Sequence, residues 1–379
     1  MVKNIVLSSG YAPAEAFPGA ALADLASDIL RNHADEALQY SKREGYHPLR
    51  KVIADWLVAE GVDAIPDEIN IITGAKQNLD ITTRALCGPG DYILVAEPTY
   101  MNGIKIFERT GVTVQSVPNT ADGIDVDALE TFLVDKARTG QRLPKLVYDI
   151  PDFQNPTGSV LSEERREKLV AVAAQHGVAI LEDNPYRWIR LEGTPVRPLK
   201  SFDKEGVVIS TGTFAKILGP GLRLGWIHAK KSLLDRIGPF KADAGTSPLC
   251  QMLAYEFYKS PGSLDRHLAR VREVLLPKRA AVLKALQDGF ADIATWSRPE
   301  GGYYVWVTMR EGIDTDALAT EALAAGVDYY RGSVFYSSKN PPKRDMRISF
   351  SYETAERIAE GMGTIARLAK ARTPVGAAR

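Results

Sequence analysis

The stretch Thr211-Gly-Thr-Phe-Ala-Lys216-Ile-Leu-Gly-Pro-Gly-Leu-Arg223-Leu-Gly-Trp226 decides the reading of this chain. It continues an apolar run, Val207-Val-Ile-Ser210, that reads as a buried strand. One lysine sits just after two threonines, with an arginine seven positions further on. A lysine amine condenses with an aldehyde to form a Schiff base. Hydroxyls, backbone N–H groups and an arginine suit a phosphate. Pyridoxal 5'-phosphate carries both groups on one small molecule. A surface lysine in a glycine-rich loop would look the same, so the rest of the chain has to decide.

Upstream, from about Asp67 to about His228, strand-like runs alternate with helical ones. Glu68–Ile72, Tyr92–Ala96, Val112–Val117, Lys145–Ile150, Val178–Leu181 and Val207–Ile209 read as strands. Helices are expected from Gly74 to near Cys87, from Met101 to Arg109, and after Ser162, which supplies an N-cap, as far as Gly177. The pattern is α/β with a mostly parallel sheet. In such sheets ligands sit beyond the C-terminal ends of the strands. Past Pro261 the texture changes. A long helix, Ser263 to Phe290, is expected to be interrupted at Pro277. Strands at Tyr303–Val307 and Met346–Phe350, a helix capped by Asp314 and a last helix, Thr354 to Lys370, suggest a smaller α+β domain. The tail from Thr373 to Arg379 is expected to fray.

Composition narrows the function. A chain of 379 residues with 45% hydrophobic content is large enough for two cores. The 47 basic and 47 acidic residues balance, which gives no electrostatic case for nucleic acid or an anionic membrane. Cys87 and Cys250 are far apart and read as buried free thiols. Five histidines (His33, His47, His176, His228, His267) lack ligand spacing, so no metal is expected. Neither a signal peptide nor a spanning apolar run is visible, and a cytoplasmic enzyme is expected.

Four further loops carry what that cofactor needs, each after a strand. Gly74-Ala75-Lys76 opens a helix whose free N–H groups favour a phosphate. Tyr100, in Glu97-Pro-Thr-Tyr100, can stack on a flat ring, although it could equally be a core aromatic. Asn155, in Asp152-Phe-Gln-Asn155-Pro-Thr-Gly158, can donate to a phenolate-type oxygen or simply belong to an Asn-Pro turn. Asp183, in Glu182-Asp183-Asn-Pro-Tyr186, can keep a pyridine nitrogen protonated; alone it would read as a cap. Their joint occurrence in one chain order carries the weight.

With these motifs the chain resembles the fold-type I pyridoxal-phosphate enzymes of the class I/II aminotransferase superfamily. It is most similar to the 2-aminoadipate and kynurenine aminotransferase branch, to which the C-terminal domains of MocR-type regulators also belong. The resemblance runs from Leu38-Gln-Tyr40 and Glu44-Gly-Tyr46-His-Pro-Leu-Arg50 to Met346-Arg347-Ile-Ser-Phe-Ser351. It implies a seven-stranded-type, mostly parallel sheet in a large domain over residues 36–262. An N-terminal segment, 1–35, would pack near the active site, and residues 263–379 would form the small domain. It implies that Lys216 forms the Schiff base and shuttles a proton, that Asp183 pairs with the ring nitrogen, and that Tyr100 stacks on the ring. Asn155 and Tyr186 would bind the ring oxygen. Gly74, Ala75, Lys76, Thr213 and Arg223 would surround the phosphate, with Tyr40 reaching it from a second subunit of a homodimer. Arg347 would take the substrate α-carboxylate, and Gly10 and Tyr11 would meet the substrate.

Several positions depart from the family pattern. Ala215 replaces a second hydroxyl, Lys76 a common glutamine, Gly10-Tyr11-Ala12 the usual Gly-x-Pro, and Tyr330-Arg331-Gly332 a common Pro-Gly. Arg331 or Lys76 would favour a second substrate carboxylate, Tyr11 or Tyr329 an aromatic side chain. The implied activity is amino-group transfer between an α-amino acid and a 2-oxo acid. The departures keep a rival in view, another carbanion chemistry such as elimination, replacement, cyclisation or oxidation. A ligand-binding effector domain of a regulator is the weaker rival. It needs a DNA-binding module, and the enzyme-like pattern begins within the first ten or so residues.

Overall fold

Seven strands build the main sheet: β1 (Ile69–Ile72), β2 (Tyr92–Glu97), β3 (Thr113–Thr120), β4 (Leu146–Asp149), β5 (Ala179–Asp183), β6 (Val208–Thr213) and β7 (Gly225–His228). The structure, a computed structural model, describes residues 4–243 and 245–372; the expected fraying of Thr373–Arg379 lies outside them. The strand order is β1-β7-β6-β5-β4-β2-β3, and a two-residue strand, Gly123–Ile124, adds to the outer edge. The pairs from β6 through β5, β4 and β2 to β3 are parallel. β7 is antiparallel to both β6 and β1.

The exception to parallel pairing has a simple cause. Only residues 214–224 connect β6 to β7, too few for a crossover helix, so the chain must turn straight back. That turn carries Lys216 at the C-terminal edge of the sheet. β1, parallel to β6 through β7, ends on the same edge, as do β2, β4 and β5.

Side chains alternate across the sheet as the strand period of two requires. Leu94, Ala96, Val147, Ile180 and Val208 pack on one face with Leu129, Leu133, Leu169 and Ala173, from helices α3 (Val126–Arg138) and α4 (Glu163–Gln175). Ile93, Val95, Leu146, Tyr148, Leu181 and Ile209 take the other face, with Leu79 and Phe107 from α1 (Ala75–Leu86) and α2 (Met101–Arg109). Ser162 caps α4 through its hydroxyl, as its sequence suggests.

A second, antiparallel sheet has the order β8-β9-β11-β10, from Ala294–Trp296, Tyr304–Met309, Asp345–Ser349 and Tyr330–Arg331 respectively. Helices α5 (Ser263–Phe290) and α6 (Ala355–Ala371) pack beside it and bury Val282, Leu286, Ile358 and Met362. Contrary to expectation, α5 runs unbroken through Pro277. Pro277 and Glu273 are exposed, so the Glu273 carbonyl that loses its partner faces water. The N-terminal strand Ile5–Val6 pairs with Val327–Asp328, and the Ser349 N–H donates to the Leu7 carbonyl at 2.8 Å. A helix over Gly19–Asn32, not anticipated from the pattern, follows this segment.

A buried cation holds the loop after β4. Arg166 spends all five N–H groups: on both oxygens of Asp152 and on the carbonyls of Leu161, Arg197 and Pro151, at 2.8–3.0 Å. Arg187 adds a further bond to Asp152 at 2.9 Å. Burial alone would raise the Asp152 carboxyl, but the two guanidiniums hold it below its ordinary value. Substituting Arg166→Met should lower urea stability by about 3–5 kcal/mol, because Asp152 and three carbonyls lose their donors together. A loss under 1 kcal/mol in equilibrium unfolding would contradict this account.

Candidate active site

A cleft of about 570 Å³ opens where the C-terminal edge of the main sheet meets the second sheet. Gly10, Tyr11, Gly74, Ala75, Lys76, Tyr100, Asn155, Asp183, Tyr186, Thr213, Lys216, Arg223 and Arg347 all line it. Of the residues expected at the site, Tyr40 alone is elsewhere: it is 79% exposed and does not line the cleft of its own chain.

At one end, Gly74 stands at φ +82° before α1, a backbone state that favours glycine. A Cβ there would come within 2.9 Å of Arg223 Nη2. Arg223 itself lies in the left-handed region (φ 52°), and its Nη2 donates to the Thr73 carbonyl at 3.1 Å. The α1 N-terminus has no side-chain cap, so its first N–H groups and the positive end of the helix are free for an anion. The Thr213 hydroxyl accepts from the Ala215 N–H at 3.1 Å, so Ala215 contributes backbone to the loop where a hydroxyl is absent.

In the middle stand an amine and a carboxylate. The Lys216 ammonium donates to the Gly10 carbonyl at 2.7 Å. Burial, then the charges of Arg347, Lys76 and Arg223, push its pKa down to about 8. Asp183 ends β5 and is buried. Its Oδ2 accepts from the Tyr148 hydroxyl at 2.9 Å, and its Oδ1 has no partner. Burial raises its pKa to about 6, with Glu182 adding to the rise and the Tyr148 hydrogen bond opposing it. Tyr100 closes this part, its hydroxyl raised to about 12, chiefly by burial.

At the other end Arg347 is buried between rings. Its guanidinium lies 4.0 Å from the Tyr304 centroid, 4.8 Å from Tyr330 and 4.9 Å from Phe335. It donates to Asn155 Oδ1 at 2.8 Å and to the Ser8 carbonyl. Asn155 precedes a cis proline. Tyr186 donates to the Tyr304 hydroxyl at 3.0 Å. Gly10 must be small here: a Cβ would fall 1.8 Å from that hydroxyl.

The donor set fits pyridoxal 5'-phosphate. Four cations, Lys76, Lys216, Arg223 and Arg347, face one carboxylate, which leaves positive charge for a phosphate and a carboxylate. The unpartnered Asp183 oxygen is the acceptor that a protonated ring nitrogen needs. A profile of aminotransferase classes I and II matches residues 3–365. The chain belongs to the class I/II aminotransferases.

As a member of that family it is a pyridoxal-phosphate-dependent aminotransferase. It is 38% identical over 370 residues to aromatic-amino-acid aminotransferase 1 of Thermococcus litoralis, covering 97% of this chain and 88% of that one. The multiple substrate aminotransferase of Thermococcus profundus superposes with a TM-score of 0.93 at 36% identity, covering 98% and 92% of the two chains. The alpha-aminoadipate aminotransferase of Thermus thermophilus, solved with N-(5'-phosphopyridoxyl)-L-leucine, gives 0.89 at 32%, covering 97% and 92%. These relatives favour amino-group transfer over the rival carbanion chemistries.

Three expectations need correction. Tyr329 is buried and donates to the Thr315 carbonyl at 2.8 Å; its neighbour Tyr330 faces the cleft instead. Arg331 is exposed and outside the cleft, because alternate residues of a strand point to opposite sides. Cys87 and Cys250 are free but half-buried, since both sit at helix ends. Among the described residues no cluster suits a metal, and no helix is long and apolar enough to cross a membrane. Sequence pattern also passes over Tyr148, Tyr304, Ser8 and Asn102. The one available signal is Tyr148, a hydroxyl inside the mostly apolar run Leu146-Val-Tyr-Asp-Ile150.

The low Lys216 pKa has a kinetic consequence. Only the neutral amine attacks an aldehyde. Capture of pyridoxal 5'-phosphate by the cofactor-free protein, followed by absorbance, should quicken with pH and level off above about pH 8. Arg347→Leu removes a charge that disfavours the ammonium, so the plateau should move to higher pH. A rate still climbing at the ordinary lysine pKa of about 10.4 in the unmodified protein would refute the depressed value.

Proposed function

We propose that the enzyme transfers the amino group of an α-amino acid with a neutral, preferably aromatic, side chain to a 2-oxo acid. The observation that carries this is the composition of the cleft beyond its phosphate end. Arg347 is the one buried cation there, and Tyr11, Tyr100, Tyr304 and Tyr330 line the space around it. One guanidinium suits one α-carboxylate, and rings suit a ring. The aromatic-amino-acid relative supports the same reading.

In this proposal the bound pyridoxal phosphate supplies an aldehyde that carries the amino group and a ring that takes up the charge left at Cα. Lys216 would hold the cofactor through its amine and, once freed by the substrate, would serve as the base that takes the proton from the substrate Cα and passes it on. Asp183 keeps the ring nitrogen protonated through Oδ1. Tyr100 would lie against the ring, and Asn155 and Tyr186 would bind its oxygen; all three line the cleft. Gly74, Ala75, Lys76, Thr213 and Arg223 hold the phosphate, and Arg347 orients the α-carboxylate, with Gly10 and Tyr11 beside the substrate.

The proposal extends to a homodimer. Leu38 (71%) and Tyr40 (79%) are strongly exposed, as expected of residues that complete a neighbour's cleft. The enzyme is placed in the cytoplasm, where free amino and 2-oxo acids meet. A second substrate reading rests on Lys76, which is exposed, lines the cleft and makes no ion pair among the described residues. It could meet a distal carboxylate.

An absorbance titration of the loaded enzyme with an amino-acid panel, followed by kcat/KM, tests these points. Phenylalanine and tyrosine should exceed glutamate and 2-aminoadipate about tenfold or more. A preference for the acidic substrates that disappears in Lys76→Gln would establish the second reading instead. Lys216→Ala should cost about 10²-fold or more in turnover. Arg347→Lys should raise KM about ten- to hundredfold with cofactor content unchanged. Sedimentation velocity should return the dimer mass; a monomer would remove Tyr40 from the site.

A further inference from the structure

We propose that Tyr148 is the positioning residue of the cofactor-binding acid: its hydroxyl engages one oxygen of Asp183, keeps that carboxylate ionised and turns the other oxygen toward the ring nitrogen. This rests on the reading of Asp183 as the partner of that nitrogen.

Strand geometry brings the two together. Tyr148 of β4 stands in register with Leu181 of β5, and Asp183 lies two residues further along the same face. The phenol is fully buried, and its ring meets Phe107 edge-on at 5.2 Å. Its hydroxyl reaches Asp183 Oδ2 at 2.9 Å. Among the described residues no other side chain hydrogen-bonds Asp183, and Oδ1 is buried with no partner. The carboxylate therefore has one oxygen committed and one free.

The direction of donation is set by chemistry. Burial and the nearby carboxyls drive the Tyr148 hydroxyl well above its ordinary range, so it never ionises and always donates. The groups around Asp183 otherwise work against its charge. Burial is the largest influence, and Glu182 on the same strand adds to it. Tyr100 across the cleft is held neutral with its own pKa raised, and Asp149 on β4 is raised to about 7. Lys216 and Arg347 line the same cleft but donate elsewhere, to the Gly10 and Ser8 carbonyls and to Asn155. Among the described residues Tyr148 is thus the one neighbour that directly stabilises the ionised acid. Without it Asp183 would take up a proton at a higher pH, and a protonated acid cannot accept from a pyridinium.

The test is the pH dependence of ligand affinity in Tyr148→Phe, which removes one oxygen atom from a packed ring. Pyridoxine 5'-phosphate serves as probe because it lacks the aldehyde and bypasses Lys216. Its dissociation constant is measured by tryptophan fluorescence from pH 5 to 9 in both proteins. The phosphate titrates identically in each and cancels in the ratio. Affinity of the unmodified protein should fall as pH drops through about 6, where Asp183 protonates. In Tyr148→Phe that acid limb should move up by about one to two pH units, so affinity near pH 6.5 drops about tenfold, while the two curves converge above pH 8. Parallel curves, whether displaced or superimposed, overturn the proposal, since a packing defect would weaken binding at every pH. Asp183→Asn separates the underlying reading: if it leaves affinity and its pH dependence unchanged, Asp183 is not the ring-nitrogen partner. If Tyr148→Phe does not fold, Tyr148→His, which keeps a donor, should retain the original acid limb. An upward shift in that variant would equally sink the idea.

Discussion

A carboxylate buried at the end of the central strand is the constraint around which this site is organised. Asp183 closes β5, with β6 and β4 on either side, and is 3% exposed. A charge there is costly unless it is paired. Among the described residues Tyr148 supplies one hydrogen bond, to Oδ2, and Oδ1 has no partner. The surrounding cations serve the same balance. Burial, and then repulsion by the charges of Arg347, Lys76 and Arg223 across the cleft, make the Lys216 amine lose its proton easily. An anionic cofactor and an anionic substrate relieve that repulsion, so the electrostatic strain of the free protein is also its affinity.

Rigidity comes from behind the cleft. Asn155, which holds Arg347, sits on a loop whose root, Asp152, is clamped by Arg166 and Arg187. Gln154 on the same loop donates to the Pro98 carbonyl at 2.9 Å and accepts from the Thr157 hydroxyl at 2.6 Å. Buried ion pairs of this kind add little net stability against apolar replacements, but they define one geometry. That suits a site whose donors must meet a planar carboxylate and a planar ring at once.

The N-terminal segment joins the two sheets. Its strand pairs beside Val327, the Leu7 carbonyl accepts from Ser349, the Ser8 carbonyl accepts from Arg347, and the Gly10 carbonyl accepts from Lys216. Four consecutive anchors pass from the small sheet to the lysine loop within a few residues. The Gly10 carbonyl contact is one that a Schiff base on Lys216 would have to replace.

Local chemistry was legible in the chain itself. Apolar runs of period two, the helix caps at Ser162 and Asp314, glycine before α1 and the lysine loop each depend on neighbours in sequence, and each appears where the pattern puts it. Thirteen of the fourteen residues expected at the site line one cleft: ten stand at or just after strand ends on the C-terminal edge of the main sheet, and Gly10, Tyr11 and Arg347 reach it from the N-terminal segment and the second sheet. What only the tertiary structure decided are relations across strands. Tyr330 rather than Tyr329 faces the cleft, Arg331 turns outward, and Tyr148 reaches Asp183; each depends on register and parity, which a single run of residues does not encode. The unbroken helix at Pro277 belongs to the same class. Whether a missing hydrogen bond ends a helix depends on whether water can reach the carbonyl left behind, and exposure is a property of the folded molecule.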